Sequence, residues 1–260
     1  MKRKSAQFLA HGLSVSLTIA AAALSAALLL LAFSSSFLEA LGLFFLGPFK
    51  NAYYFGNMLS SSVALAVAGL GASLAFGSRN FNLGGEGQVY LGAIAAVLVC
   101  LALPSGAPAA VVLFAMAAAM ATGGLMGAVS GALKRRLGVD ELISSFLLSS
   151  GLVFVGDFLV TGPLQDPSSN FQTTQAIPAA LRLARIYPPS SLSSSAFIAL
   201  AVILLVAFLL DRSRLGFELR LTGRNPEFAR YVGIDTGAYA TAPMAASGAL
   251  YGLAGALMVL

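Results

Sequence analysis

The sequence predicts an all-α fold, a polytopic transmembrane helix bundle with about seven spanning helices. Of 260 residues, 58% are hydrophobic and only 10% are charged, whereas about a quarter of the residues in an average soluble domain are charged. A spanning helix needs roughly 20 mainly apolar residues, and seven windows qualify: 13–33, 58–77, 85–103, 108–133, 142–162, 194–210 and 237–260. These windows lack the ten-residue alternation of a membrane β-barrel. We therefore expect residues 1–260 to form a single transmembrane domain.

The basic residues predict which side of the membrane each loop faces. With the N-terminus in the cytoplasm, three of the 15 Lys and Arg residues lie outside, namely Lys50, Arg182 and Arg185, which leaves 15 − 3 = 12 inside. An excess of this kind on the cytoplasmic side is what the positive-inside rule describes. Topology thus explains the net charge of +5, and we expect no nucleic-acid partner.

The first window and the last window each allow two interpretations. Lys2, Arg3 and Lys4 precede the first window as in a secretory signal, but the 21 residues of 13–33 exceed the apolar core of a signal peptide, and a retained helix is expected. The last window runs to Leu260 without a polar tail. Together with the odd number of spans, this end leads us to expect an N-terminal portion of a longer permease; the alternative is a short natural end.

The segment FNLGGEGQVYLGA, residues 81–93, places polar side chains at the start of the third window. Its glycines disfavour a helix by about 1 kcal/mol each relative to alanine, which predicts a bent or re-entrant backbone supported by protein or water. Asn82 is a candidate cap of the following helix. A charge near the bilayer centre costs on the order of 2.5–3.5 kcal/mol, so Glu86 is a candidate functional residue. The alternative is an interfacial glutamate that only stabilises a helix start.

A second polar stripe begins the fifth window. Glu141, Ser145 and Ser149 recur every four residues and therefore share one helix face, while Asp140 is suited to cap the helix. Serines in membrane helices commonly bond neighbouring helices. The alternative for Ser145 is a role as a pathway residue.

Small residues at helical spacing predict close helix packing. Gly123, Gly127 and Gly131 lie four residues apart, and Gly248 and Gly252 repeat the pattern in the last window. Such glycines let two helix backbones approach closely in lipid. The alternative is that they line a pathway.

The loop 211–236 carries the signal of a short exposed helix. Asn225 before Pro226 resembles a capping residue followed by a first-turn proline, and Gly233 is a suitable stop. Phe228 and Tyr231, with the adjacent Val232, then share one face. A helix of this kind fits a groove on a partner protein; the alternative is a helix lying on the membrane surface. On the other side, the loop 163–193 is expected to carry a short helix around Ala179–Arg185 and serves as either a connector or a partner-docking surface.

Three blocks together resemble the permease subunits of bacterial ABC importers of the branched-chain amino acid and simple sugar type. They are FNLGGEGQVYLGA, LKRRLGVDELISSFLLSS and GFELRLTGRNPEFARYVGID, they occur in the family's order, and the similarity extends over nearly the whole chain. It is closest to nucleoside or simple-sugar permeases that work with a lipoprotein substrate binder. The resemblance implies a multi-pass subunit of the bacterial cytoplasmic (inner) membrane, in a family that usually has further helices after the point where this chain ends.

The resemblance also implies partners and site residues. The partners are a cytoplasmic ABC ATPase, a second permease subunit that is either identical or different, an extracytoplasmic substrate-binding (lipo)protein and the membrane lipid. The segment holding Asn82, Glu86 and Gln88 corresponds to the central polar region, and Gly223–Gly233 corresponds to the coupling helix in the ATPase cleft. The expected ATPase contacts are Arg224, Asn225, Pro226, Glu227, Phe228, Arg230 and Tyr231.

The expected function is a permease subunit of an ATP-driven importer for nucleosides or simple sugars, with no catalytic residue, metal or cofactor of its own. The sequence has no Walker motif, so a partner must hydrolyse ATP. No Lys or Arg lies in the middle of a window, which favours a neutral solute over a branched-chain amino acid. A secondary transporter with Glu86 as the proton-coupling acid is a further alternative. A membrane enzyme is disfavoured because His11, the only histidine, has no catalytic constellation around it.

Overall fold

The computed structural model describes residues 2–103 and 106–260, with side chains from residue 12 onward. Its α-helices, in chain order, are α1 Lys2–Phe33, α2 Phe37–Leu46, α3 Ala52–Gly77, α4 Gly85–Ala102, α5 Pro108–Leu137, α6 Glu141–Thr161, α7 Ser195–Arg212, α8 Arg214–Arg224, α9 Pro226–Tyr231 and α10 Ala238–Val259. Seven of them, all except α2, α8 and α9, are long and apolar enough to span a membrane. The predicted all-α bundle with seven spans is confirmed.

Helix α1 begins at Lys2, 11 residues before its predicted window, and α3 also begins early. The window 58–77 places its start six residues late, because polar and aromatic residues in 52–57 lower the local hydropathy. The side chain of Asn51 caps the helix by accepting a hydrogen bond from the Tyr54 N–H at 2.9 Å. The preceding stretch also contains α2 and a 3-10 turn at Gly47–Phe49, neither of which was predicted.

Helix α10 forms the centre of the bundle, packing against α5, α4 and α3. Of its most apolar window 61% is buried, whereas no residue in the corresponding window of α1 is buried. The predicted glycine contacts are present: a Cβ on Gly123 would collide with the carbonyl oxygen of Gly248, and one on Gly252 with that of Ala119. Only glycine permits two helix backbones to approach this closely.

Loops from distant parts of the chain converge at each end of the bundle. At the coupling end, defined by the loops 78–84, 138–140 and 213–237, Lys134 bonds Asn80. At the opposite end, Asn57 bonds the backbone N–H of Ser191 at 2.8 Å. This grouping is the one that the predicted threading requires. Assignment of the coupling end to the cytoplasm, with the N-terminus, stays a prediction.

The loop 163–193 is mostly irregular. The expected helix around Ala179–Arg185 is limited to a single 3-10 turn, Ala179–Leu181. The backbone turns extended at Arg182, and Arg185 forms an isolated antiparallel bridge with Ser193. Leu181 is fully buried, and its burial anchors the loop. The prediction of a helix that extends to Arg185 was wrong, because the backbone is extended from Arg182.

Candidate functional site

The non-helical segment 78–84 enters the bundle before α4 begins. The Gly87 N–H donates to Ser149 Oγ at 2.8 Å, and Ser149 lies eight residues beyond the start of α6. At 1.5 Å per residue, this contact lies about 12 Å along α6. The bent, re-entrant backbone predicted from the glycines is therefore present, and α4 starts well inside the bundle.

A buried cluster of polar side chains surrounds this segment, and we call it the polar core: Asn82, Gln88, Ser145, Ser149 and Ser247. Asn82 Nδ2 donates to Gln88 Oε1 at 2.9 Å and to Ser247 Oγ at 3.1 Å. Gln88 Nε2 returns a bond to Asn82 Oδ1 at 3.2 Å. Ser247 lies about 13 Å along α10 from its start, whereas Ser145 lies one turn into α6, so the polar core extends from the coupling end into the interior of the bundle.

The two serines of α6 support the non-helical backbone. Ser145 Oγ accepts from the Leu83 N–H at 3.0 Å and donates to the Glu141 carbonyl at 2.6 Å, while Ser149 Oγ accepts from Gly87 as above. Backbone without helical partners is tolerated at this depth where such bonds replace those of the helix. This arrangement matches the expectation that membrane serines bond neighbouring segments.

Ser149→Ala is expected to destabilise the protein by about 1–3 kcal/mol, because it leaves the buried Gly87 N–H without a partner. Ser150→Ala is the matched control, since the Ser150 hydroxyl bonds only a carbonyl of its own helix, that of Phe146. Unfolding of both variants in detergent by denaturant titration provides the measurement. Equal stability of the two variants would contradict the role assigned to Ser149.

Asn82 does not cap α4. The N-cap is Gly84, which has no side-chain cap, and Asn82 Oδ1 instead accepts from the Gly84 N–H at 3.0 Å. Its side chain closes a turn two residues ahead of itself, as asparagine commonly does. The capping prediction for Asp140 is confirmed, because Asp140 Oδ1 accepts from the Leu142 N–H at 2.8 Å.

Glu86 stands apart from the other predicted pathway residues. Asn82, Gln88 and Ser145 are buried together, whereas Glu86 is exposed in the first turn of α4. It borders a surface cavity of about 650 Å³ that Tyr90 and Tyr251 also line. This cavity adjoins a second one, of about 620 Å³, near the opposite end of the bundle. The lining residues common to both cavities are Ala68, Val89, Met258 and Val259.

The short helix predicted in the loop 211–236, called the coupling loop below, is present as α9. Asn225 Oδ1 accepts from the Phe228 N–H at 2.9 Å, Pro226 occupies the first turn, and Gly233 follows with a left-handed φ of 86°. The residues expected to contact an ATPase are all exposed: Arg224, Asn225, Pro226, Glu227, Phe228, Arg230 and Tyr231. Ala229, which is fully buried, attaches α9 to the rest of the bundle.

Helix α8 was missed by the sequence analysis, although signals for it exist. Ser213 caps it by accepting from the Gly216 N–H at 3.2 Å, and Arg214 pairs with Glu218 one turn later at 2.5 Å. A hydrogen bond from Arg214 and a weaker effect of the hydrogen bond from Tyr239 hold the pKa of Glu218 below its ordinary value. The carboxylate is therefore charged at neutral pH, and its contribution to stability is lost as the pH falls through this lowered pKa.

Comparison with known proteins gives the following matches. Residues 54–260 match the family model described as branched-chain amino acid transport system / permease component. A probable riboflavin import permease of Treponema pallidum is 32% identical over 83% of this chain and 57% of its own length. A guanosine ABC transporter permease of Bacillus subtilis is 31% identical, with coverages of 81% and 61%. A glucose ABC transporter permease of Haloferax volcanii is 29% identical, with coverages of 88% and 62%.

The chain thus spans about three fifths of the length of these relatives, from 57% to 62%. No solved structure matches the chain significantly.

Proposed function

The chain belongs to the family of branched-chain amino acid transport system permease components, and we propose that it serves as the transmembrane permease subunit of an ATP-driven importer for nucleosides or simple sugars. The relatives described above are transport components. The observation that carries the proposal is the polar core, held by hydrogen bonds deep within an apolar bundle. Polar groups of this kind in a membrane protein mark pathways.

The described spans favour a neutral solute. From residue 12 onward, Lys and Arg within these spans occur only in the last turns of α5 and α7, as Lys134, Arg135, Arg136 and Arg212. A branched-chain amino acid, the alternative that the family description raises, has a carboxylate that calls for a cation or a helix N-terminus. The N-terminus of α4 borders the cavity beside Glu86, but Glu86 itself already places a carboxylate there. The cavity also offers two tyrosine rings, Tyr90 and Tyr251. Flat rings suit stacking on a base, and a glutamate accepts hydrogen bonds from hydroxyl or amide groups.

The mechanism that we propose is alternating access. A cytoplasmic ATPase pair closes on ATP and displaces α9, and this displacement moves the segments that begin α4 and α6 around the polar core. A second permease subunit completes the pathway, and an extracytoplasmic binding protein delivers the solute. This chain moves solute through hydrogen-bonded and apolar surfaces and performs no covalent step.

Uptake by vesicles carrying the intact transporter is expected to stop on ATP depletion and to persist when a protonophore collapses the proton gradient. Tritiated guanosine, riboflavin and glucose are suitable probes. Glu86→Gln should lower the uptake rate by about ten-fold or more, as loss of a hydrogen bond to a charged group of 1.5–3 kcal/mol would, without changing the amount of protein in the membrane.

Glu39→Gln in the exposed helix α2 is the matched control and should transport at the wild-type rate. Uptake that survives ATP depletion but fails with the protonophore would establish the secondary-transporter alternative, in which Glu86 couples to protons. Normal uptake by Glu86→Gln would instead leave Glu86 as a residue that only stabilises the start of α4.

A further inference from the structure

Asn80 is a buried junction between the segment 78–84 and its surroundings. Its side chain is 2% exposed. Nδ2 donates to Ser78 Oγ at 2.7 Å and to the Tyr239 carbonyl at 2.8 Å, and Oδ1 accepts from Lys134 Nζ at 2.8 Å. Both ends of the amide are therefore occupied. Asn82 of the polar core follows two residues later in an irregular segment.

Lys134 extends this junction to α6. Its Nζ lies 2.8 Å from Glu141 Oε1, and the glutamate side chain is 9% exposed. The lysine side chain is 32% exposed, so the pair is only partly buried. Removal of Lys134 would still leave the buried carboxylate of Glu141 without its partner charge. Asn80, Lys134 and Glu141 thereby hold the ends of α5 and α6 in one arrangement with the segment that leads to the polar core.

Helix α8 reaches the same junction by two contacts. Gly223 packs on the end of α3, where a Cβ would collide with the Gly77 carbonyl oxygen and lie 3.2 Å from Ser78 Cα. Glu218 Oε2 accepts from the Tyr239 hydroxyl at 2.8 Å. These contacts involve Ser78 and Tyr239, the two residues to which the Asn80 amide donates. A displacement of α8 therefore acts on the partners of Asn80 through two contacts, that of Gly223 with Ser78 and that of Glu218 with Tyr239.

We propose that Asn80 is a positioning residue that transmits displacement of α8 and α9 to the polar core at Asn82. The proposal rests on the function proposed above and names the residue through which the coupling loop acts. Packed interiors have low compressibility and transmit displacement. The hydrogen bonds of Asn80 also hold Ser78, Tyr239 and Lys134 at fixed positions relative to the segment. Without the amide, α8 would still touch the segment at Ser78, but the links from Tyr239 and Lys134 to Asn80 would be lost. ATP-driven movement of α8 would then be passed to Asn82 less completely.

The test compares solute uptake with ATP hydrolysis in proteoliposomes that contain the purified intact transporter. Asn80→Ala is expected to lower guanosine, riboflavin or glucose taken up per ATP hydrolysed by at least about five-fold, the lower bound of typical coupling between sites. ATP hydrolysis and the amount of assembled complex should stay close to wild type. A merely structural role would reduce uptake, hydrolysis and assembled complex together, and this result would overturn the proposal.

Two further variants sharpen the test. Asn57→Ala removes an asparagine that ties a loop to a helix at the opposite end of the bundle, and it should keep the wild-type ratio of uptake to hydrolysis. The double variant Lys134→Glu/Glu141→Lys restores the ion pair but puts a carboxylate against Asn80 Oδ1. If the Asn80 amide rotates by 180° so that Nδ2 bonds this carboxylate, Oδ1 faces the Tyr239 carbonyl, and two acceptors cannot share a hydrogen bond. One hydrogen bond of Asn80 is therefore lost in either orientation.

The double variant should therefore assemble and hydrolyse ATP but remain uncoupled. Wild-type coupling in either this variant or Asn80→Ala would overturn the assignment of Asn80 while leaving the proposed function intact. A wild-type complex that takes up none of the three solutes at the expense of ATP would overturn the proposed function and the inference together.

Discussion

Gly123→Ala should destabilise the bundle by about 3 kcal/mol or more, at the upper end of the range for overpacked cores. The added Cβ would meet the carbonyl oxygen and carbon of Gly248 and the amide nitrogen of Gly252. These are backbone atoms, so no side chain can rotate away, and α5 and α10 would have to separate along their shared interface. Since α10 is the central helix, its contacts with α3 and α4 would be disturbed as well.

The measurement is denaturant titration of the purified protein in detergent, together with the fraction that stays monodisperse after heating. Gly151→Ala in α6 is the matched control, because no atom lies within 4 Å of the added Cβ. Alanine there should stabilise the helix by up to about 1 kcal/mol through propensity alone. Stability of Gly123→Ala equal to that of the control would contradict the close approach of α5 and α10.

Replacing both Phe228 and Tyr231 with Asp is expected to abolish association with an ATPase. The two side chains are 49% and 87% exposed and lie on the helix proposed to enter the ATPase cleft. Truncation of buried aromatic anchors costs 2 kcal/mol or more at interfaces, and burying two unpaired carboxylates adds a desolvation cost. The expected loss is therefore about a hundred-fold or more in affinity.

The experiment purifies the affinity-tagged chain from membranes of its own host and quantifies any co-purifying protein with a Walker motif by mass spectrometry. Phe171→Asp is the control, because Phe171 is an exposed aromatic residue, 76% accessible, in the loop 163–193. It should retain the ATPase. Undiminished association of the Phe228→Asp/Tyr231→Asp variant would refute the docking role of α9 and favour a helix on the membrane surface.

The spanning helices of this protein were predictable because lipid imposes a simple requirement. A span must satisfy its backbone within one helix and remain apolar over roughly 20 residues, so hydropathy located all seven. Features that depend on neighbours within one or two helical turns were predictable as well. They are the Asn225–Pro226 start of α9, the Asp140 cap and the glycine stripe of α5.

The candidate site was predictable only in part. The family resemblance grouped Asn82, Glu86 and Gln88 in one polar region, yet Glu86 lies on an exposed face of α4 while the other two are buried. Ser247 and Asn80 escaped selection because a serine among alanines and an asparagine beside Arg79 carry no distinctive pattern. Their importance depends on partners 165 and 54 residues away along the chain.

By itself the sequence determined the all-α class, the number of spans, the glycine faces available for close packing and the short helix exposed in the coupling loop. Each follows from composition or from interactions within a few residues. Tertiary structure decided which polar groups meet: the segment 78–84 inserts among α5, α6 and α10, where it collects hydrogen bonds from helices distant in sequence. Hydrogen bonds demand atoms within about 3 Å, and only the packing of α5, α6 and α10 around this segment brings those atoms together.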